Sequence, residues 1–197
     1  MPAEVFVRML AFVALVSGAA AFADKPQAEP VVHGRPLSHR LAVIRQGSPH
    51  SPESEKAWAA IRSARSTAVV PRVLPWLKDK DVGIRSKGLI ALWQRAPFPE
   101  EVVAAFIECA RDPDQGVRML AVNALGEVTP VTAGVVPALI AGLKDPSQLV
   151  RGRAALSLAR LRPAAKEAIP ALTLTLRDDQ RLVREAAQHA LTEVGER

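Results

Sequence analysis

Tyrosine is absent from the chain, and aromatic residues make up only 4% of its 197 positions. Beyond residue 23 they reduce to Trp58, Trp76, Trp93, Phe98 and Phe106, so a base-stacking surface for nucleic acid would be thin. The single cysteine, Cys109, excludes an internal disulfide and any cysteine-based zinc site. Histidine is scarce: His33, His39 and His50 fall near the N-terminus in no ligand spacing, and His189 has no triad partner. The glycines form no phosphate loop. No catalytic, metal or cofactor-binding residue is therefore expected, and the chain reads as a non-enzyme.

What is present is half apolar, enough for a sizeable core, with 26 Lys and Arg against 20 Asp and Glu. Residues 1–23 read as a signal peptide. Arg8 supplies the positive start, MLAFVALVSGAAAFA the apolar run, and Ala21-Phe22-Ala23 the small-x-small cleavage site. That run, about 15 residues softened by small ones, is short for a membrane span of about 20. Export to a periplasm or the exterior is the expectation. Residues 24–34, DKPQAEPVVHG, read as a flexible linker.

A ruler runs through the rest. Asp79, Asp112, Asp145 and Asp178 lie 33 residues apart, each followed six residues later by Arg85, Arg118, Arg151 or Arg184. Ile84, Val117, Val150 and Val183 keep the same register, as do Leu92, Leu125, Leu158 and Leu191. A period of this length means a stacked array. Apolar residues recur at helical spacing on both sides of each Asp, which predicts helix pairs over 68–78 with 82–95, 99–111 with 115–127, 133–144 with 148–161, and 166–177 with 181–194. Pro71, Pro137 and Pro170 are expected near the start of the first helices. Gly88, Ala121, Ala154 and Ala187 mark close helix approach. Residues 35–65 repeat the pattern imperfectly. Leu41 and Ile44 are in register, Ser51-Pro52 looks like a helix start, and the ladder arginine is missing, as suits a capping unit.

The pattern V-x-P-x-L-x-x-x-L-x-D-x-x-x-x-V-R-x-x-A-x-x-A-L, clearest over Val135 to Leu158, resembles HEAT repeats of the PBS-lyase HEAT-like type. The resemblance covers 66–197 as four units (66–98, 99–131, 132–164 and 165–197) and implies an all-α, right-handed α-solenoid, an armadillo-like superhelix of helical hairpins. It departs at Ile84, Gly88 and Arg95, where later copies have valine, alanine and an apolar residue. HEAT-built metal-dependent hydroxylases use His-Glu pairs, and the sequence contains no His-Glu dipeptide. Asp and Arg at the turn are expected to form the structural Asp-Arg ladder of such stacks, the carboxylate also accepting backbone N–H groups at the start of the second helix.

In HEAT stacks the second helices line the concave side. The face opposite their buried stripe carries Ser86, Met119, Gly152 and Glu185; then Ile90, Asn123, Leu156 and His189; then Trp93, Gly126, Ala159 and Thr192. Ile90, Trp93, Met119 and Leu156 are apolar there, rimmed by Lys87, Gln94, Glu127, Arg153 and Arg160, the composition of a protein-binding surface. A monomeric scaffold binding a protein or peptide is the leading expectation. Trp93 and Ile90 have the alternative of packing under the N-terminal helices. Two other functions are weighed: a polyanion or nucleic-acid binder using Lys87, Arg118, Arg151, Arg153 and Arg160, and a chromophore lyase or its accessory, on the family name alone.

Overall fold

The computed structural model describes residues 29–47 and 51–195. The expected signal peptide, the first part of the linker and His50 lie outside the described residues. Of the first compact unit, Met1–Pro30, only Glu29 and Pro30 are described; the helical array is the second, Val31–Arg197.

That unit opens on a small hairpin where the sequence suggests a linker. Strand β1 (Val31–Val32) pairs antiparallel with β2 (Arg35–Pro36). His33 and Gly34 both take positive φ, +48° and +72°, as a two-residue hairpin turn requires. Arg40, from the next helix, donates Nη2 to the His33 carbonyl at 2.9 Å and fastens the turn.

Helices α1 (Leu37–Gln46) and α2 (Pro52–Ser63) then form the imperfect first pair. Ser51 caps α2, its hydroxyl oxygen accepting the Ser54 N–H at 3.1 Å with Pro52 at the first helical position. Leu41, Ile44 and Ile61 are buried.

The four regular units keep to the Asp ruler. The first has α3 (Ser66–Val73), a 3-10 segment (Leu74–Lys78) and α4 (Val82–Trp93). The second has α5 (Glu100–Cys109) and α6 (Gln115–Leu125). The third has α7 (Val135–Gly142) and α8 (Gln148–Leu161), and the fourth a 3-10 segment (Arg162–Ala168), α9 (Ile169–Thr175) and α10 (Arg181–Gly195). Most first helices are shorter than the periodicity predicts. Pro71 is a correction: it sits inside α3, not at its start, and the chain tightens into 3-10 geometry a few residues later, where Pro75 removes a second donor. Among the described residues the only strands are the two of the hairpin.

The core is a column of identical positions. Leu92, Leu125 and Leu158 are fully buried, as are Val117 and Val150 or nearly so, and Phe106 packs edge-on to Phe98 at 5.5 Å. Small residues set the spacing. A Cβ on Gly88 would stand 3.0 Å from the Trp76 Cβ and from the Leu77 Cδ2, which accounts for glycine where later units have buried alanines. The second helices stack as one layer, α4 on α6 on α8 on α10, with the first helices behind them. The molecule is an all-α solenoid of helical repeats.

Candidate partner-binding surface

The charges at the turns are consumed by the scaffold. Three of the four ladder arginines reach forward to the following unit. Arg85 donates Nε and Nη2 to Asp112 at 2.7 and 2.8 Å, Arg118 to Asp145 at 2.7 and 3.0 Å, and Arg151 to Asp178 at 2.7 and 2.8 Å. The remaining Nη1 turns back to carbonyls of its own turn, Asp79 O, Asp112 O and Asp145 O respectively. Hydrogen bonding to the carboxylate raises the pKa of each of these guanidinium groups. In return Arg151 holds the Asp178 carboxyl down to about 2. Burial works against charge on Asp145, but Arg118 and the Ser147 N–H outweigh it and keep the carboxyl below its usual range.

The aspartates do not cap the second helices. Each accepts the N–H two residues on, closing the turn, at Asp81, Asp114, Ser147 and Gln180. The helix caps are Asp81, accepting from Gly83 and Ile84, and Asp114, accepting from Gly116 and Val117. At the far end Arg184 bonds the Asp178 and Asp179 carbonyls.

Three basic residues outside the Asp-Arg ladder join the first pair to the array. Arg45 at the end of α1 bonds the Asp79 carboxylate and lies over the Trp76 ring, taking the place of the missing ladder arginine from the other helix of its unit. Lys87 donates Nζ to the Arg45 and Gly47 carbonyls, at 3.2 and 3.3 Å, where α1 ends. Arg95, buried, donates to the carbonyls of Ile61 and Ala64 at the end of α2. Among the described residues no carboxylate pairs with Arg95, and burial lowers its pKa. These residues act where a carbonyl-lined helix end favours a cation. Lys87, expected at a partner rim, is thus also a strut.

The other expected surface residues fall on one solvent-facing side of the second-helix layer, with two exceptions. Gly126 and Ala159 are buried, although a 100° projection turns them outward. A Cβ on Gly126 would lie 2.7 Å from the Ser157 Cβ, so α8 presses directly on this spot. Ile90, Trp93, Met119, Asn123 and Leu156 are half-buried, while Gln94, Arg160 and His189 are exposed. The Trp93 indole donates Nε1 to Glu127 Oε2 at 2.8 Å, and Arg160 donates Nη1 to Asn123 Oδ1 at 2.9 Å, so the face is cross-linked between neighbouring helices.

Two cavities open on this side. One of about 680 Å³ lies between the first pair and α4, with Ile44, Trp58, Lys87, Ile90 and Gln94 in its wall. Ile90 therefore faces α2 across a gap. The other, about 540 Å³, runs over α6, α8 and α10 with Met119, Arg153, Leu156 and His189. A smaller depression beside it holds Arg160 and His189 again. Sequence reasoning missed Leu149 and Leu182, both strongly exposed in the wall of the second cavity. They stand 33 residues apart, and the period could have found them.

Chemistry elsewhere is quiet. Burial pushes the Cys109 thiol up to about 11, which suppresses the nucleophilic thiolate. His33 Nε2 lies 3.3 Å from the Ser63 hydroxyl, and His39 is exposed. Among the described residues no group of three or more His, Cys, Asp or Glu is placed to hold a metal, and no helix is long and apolar enough to cross a membrane.

A family model for HEAT repeats matches residues 136–197. No curated protein matches the sequence. Among solved structures, a designed armadillo repeat protein in complex with the peptide (KR)4 superposes with a TM-score of 0.59 at 18% identity, over 80% of this chain and 81% of that one. An engineered protein gives 0.55 at 20% identity, over 81% and 79%. Human deoxyhypusine hydroxylase in complex with glycerol gives 0.52 at 21% identity, over 80% of this chain but 62% of its own. These likenesses concern the fold. Its last two units match HEAT repeats directly, and the same Asp-Arg ladder runs back through the two units before them.

Proposed function

We propose that the chain is an exported, monomeric, non-enzymatic scaffold that binds a protein or peptide on the open side of its second-helix layer. One observation carries this reading: apolar side chains, Ile90, Met119 and Leu156 among them, line cavities on a face that solvent would otherwise make polar. Helices fixed by the ladder present these anchors with little ordering cost on binding. The designed armadillo repeat protein, which carries a peptide on the same kind of fold, supports the choice of partner class. Export is supported by the apolar N-terminal run and its Ala21-Phe22-Ala23 end.

The polyanion reading has lost much of its footing, because Arg118 and Arg151 each spend two nitrogens on aspartate. Affinity capture from the exported fraction, compared between the natural chain and the Trp93→Ala and Met119→Glu variants, tests the proposal. Loss of partners with helicity intact is expected. Recovery of the same partners by both variants would exclude this face.

A further inference from the structure

The geometry points to an acidic segment with apolar side chains as the occupant of the groove over α6, α8 and α10. This rests on the peptide-binding reading above and names the chemistry of its ligand.

The apolar part is built by two units only. Leu149 and Leu182, 60% and 77% exposed, occupy the register position held by Gly83 and Gly116 in the first two units. They stand at the starts of α8 and α10, at the mouth of a cavity whose wall includes Met119 and Leu156. Two large side chains held in water at equivalent positions on adjacent helices form a patch that only a covering apolar partner would bury. A nucleic-acid backbone has nothing to place there.

The charge part is one-sided. Among the described residues Arg153, in the wall of the same groove, has no hydrogen bond or ion pair, and Arg160 in the adjoining depression bonds only the neutral amide of Asn123. Glu185, the acid in the groove wall, is already held by Arg181 at 2.7 Å, and Glu193 in the adjoining depression by Arg162 at 3.6 Å. An occupant bringing lysine or arginine would cover Arg153 without compensating it. One bringing Asp or Glu beside its apolar anchors would supply the missing acceptor.

The probes are labelled peptides of alternating Glu and Leu, Lys and Leu, or Glu and Ser, titrated by fluorescence anisotropy with the full chain. The Glu-Leu peptide is expected to bind best. Leu182→Glu should weaken it about tenfold or more, and Arg153→Glu roughly fivefold with a reduced salt dependence. Leu182 is strongly exposed and Arg153 is half-buried without a partner, so near-equal melting temperatures should accompany the losses. Preference for the Lys-Leu peptide, abolished by Leu182→Glu, overturns the acidic assignment and leaves the binding face standing. Equal binding of the Glu-Ser peptide, or of a mixed DNA duplex insensitive to Leu182→Glu, overturns the inference in favour of a polyanion. A dimer in sedimentation that Leu182→Glu dissociates makes the occupant a second copy and overturns it too. Binding of no peptide also overturns it, and the capture experiment then decides the broader reading.

Discussion

Arg118 grips Asp145 from the preceding unit through two parallel bonds, Nε to Oδ2 at 2.7 Å and Nη2 to Oδ1 at 3.0 Å. Both side chains are largely buried, and the carboxylate also holds the Ser147 N–H at 2.8 Å. Asp145→Ala leaves a guanidinium and a backbone donor without their acceptor at the middle joint. A loss of roughly 1 to 3 kcal/mol in urea unfolding is expected. A melting curve unchanged by the substitution would remove the ladder from the account of stability.

Acid should loosen the last joint in a defined window. The Asp178 carboxyl is held by Arg151 down to about 2 in the folded chain, below the usual carboxylate value of about 4 in the unfolded one. A depressed folded pKa means that the unfolded state binds the proton more readily. The stabilisation is therefore complete above about pH 4 and is lost as pH falls through about 2. Asp178→Asn should lower stability at neutral pH and flatten its fall across that window. A parallel acid limb for variant and natural chain would contradict the assignment.

Arg95 predicts a local opening. Its bonds to the Ile61 and Ala64 carbonyls hold the end of α2 against α4. Arg95→Leu places there a residue type found at the same position in the third unit, Leu161, but leaves the Ala64 carbonyl without its side-chain donor and the Ile61 carbonyl with only the Ala64 N–H. Hydrogen exchange over 37–63 should rise, by a local destabilisation of about 1 to 3 kcal/mol, with protection in α8 and α10 unchanged. Uniform loss of protection along the chain would mean that the first pair is not a separable joint.

The repeated parts of this architecture were legible because every unit meets the same neighbour, so the same demand appears at Asp79, Asp112, Asp145 and Asp178 and at the buried leucines. Single-copy joints were not. Arg45 answers Asp79 from an unexpected helix, and Lys87 and Arg95 bond carbonyls more than 30 residues away, pairings that no period encodes. The exposed face was readable in outline, since Ile90, Met119 and Leu156 do line cavities. It failed at Gly126 and Ala159, because a helical projection ignores the neighbouring helix, whose Ser157 sits on Gly126. The hairpin at Val31–Val32 escaped notice because two-residue strands have no alternation to show.

Because Arg85, Arg118 and Arg151 each clasp the aspartate ahead and turn a third nitrogen back on their own turn, the joint is polar: one unit gives and the next receives. Units of this kind are interchangeable links. One copied and inserted between two others would find a carboxylate in front and a guanidinium behind, and only unit-specific contacts such as Trp93 to Glu127 and Arg160 to Asn123 would have to be rebuilt. The length of the second-helix layer can therefore change in whole units through one kind of joint, and new side chains on the open side can be tried without touching the clasp.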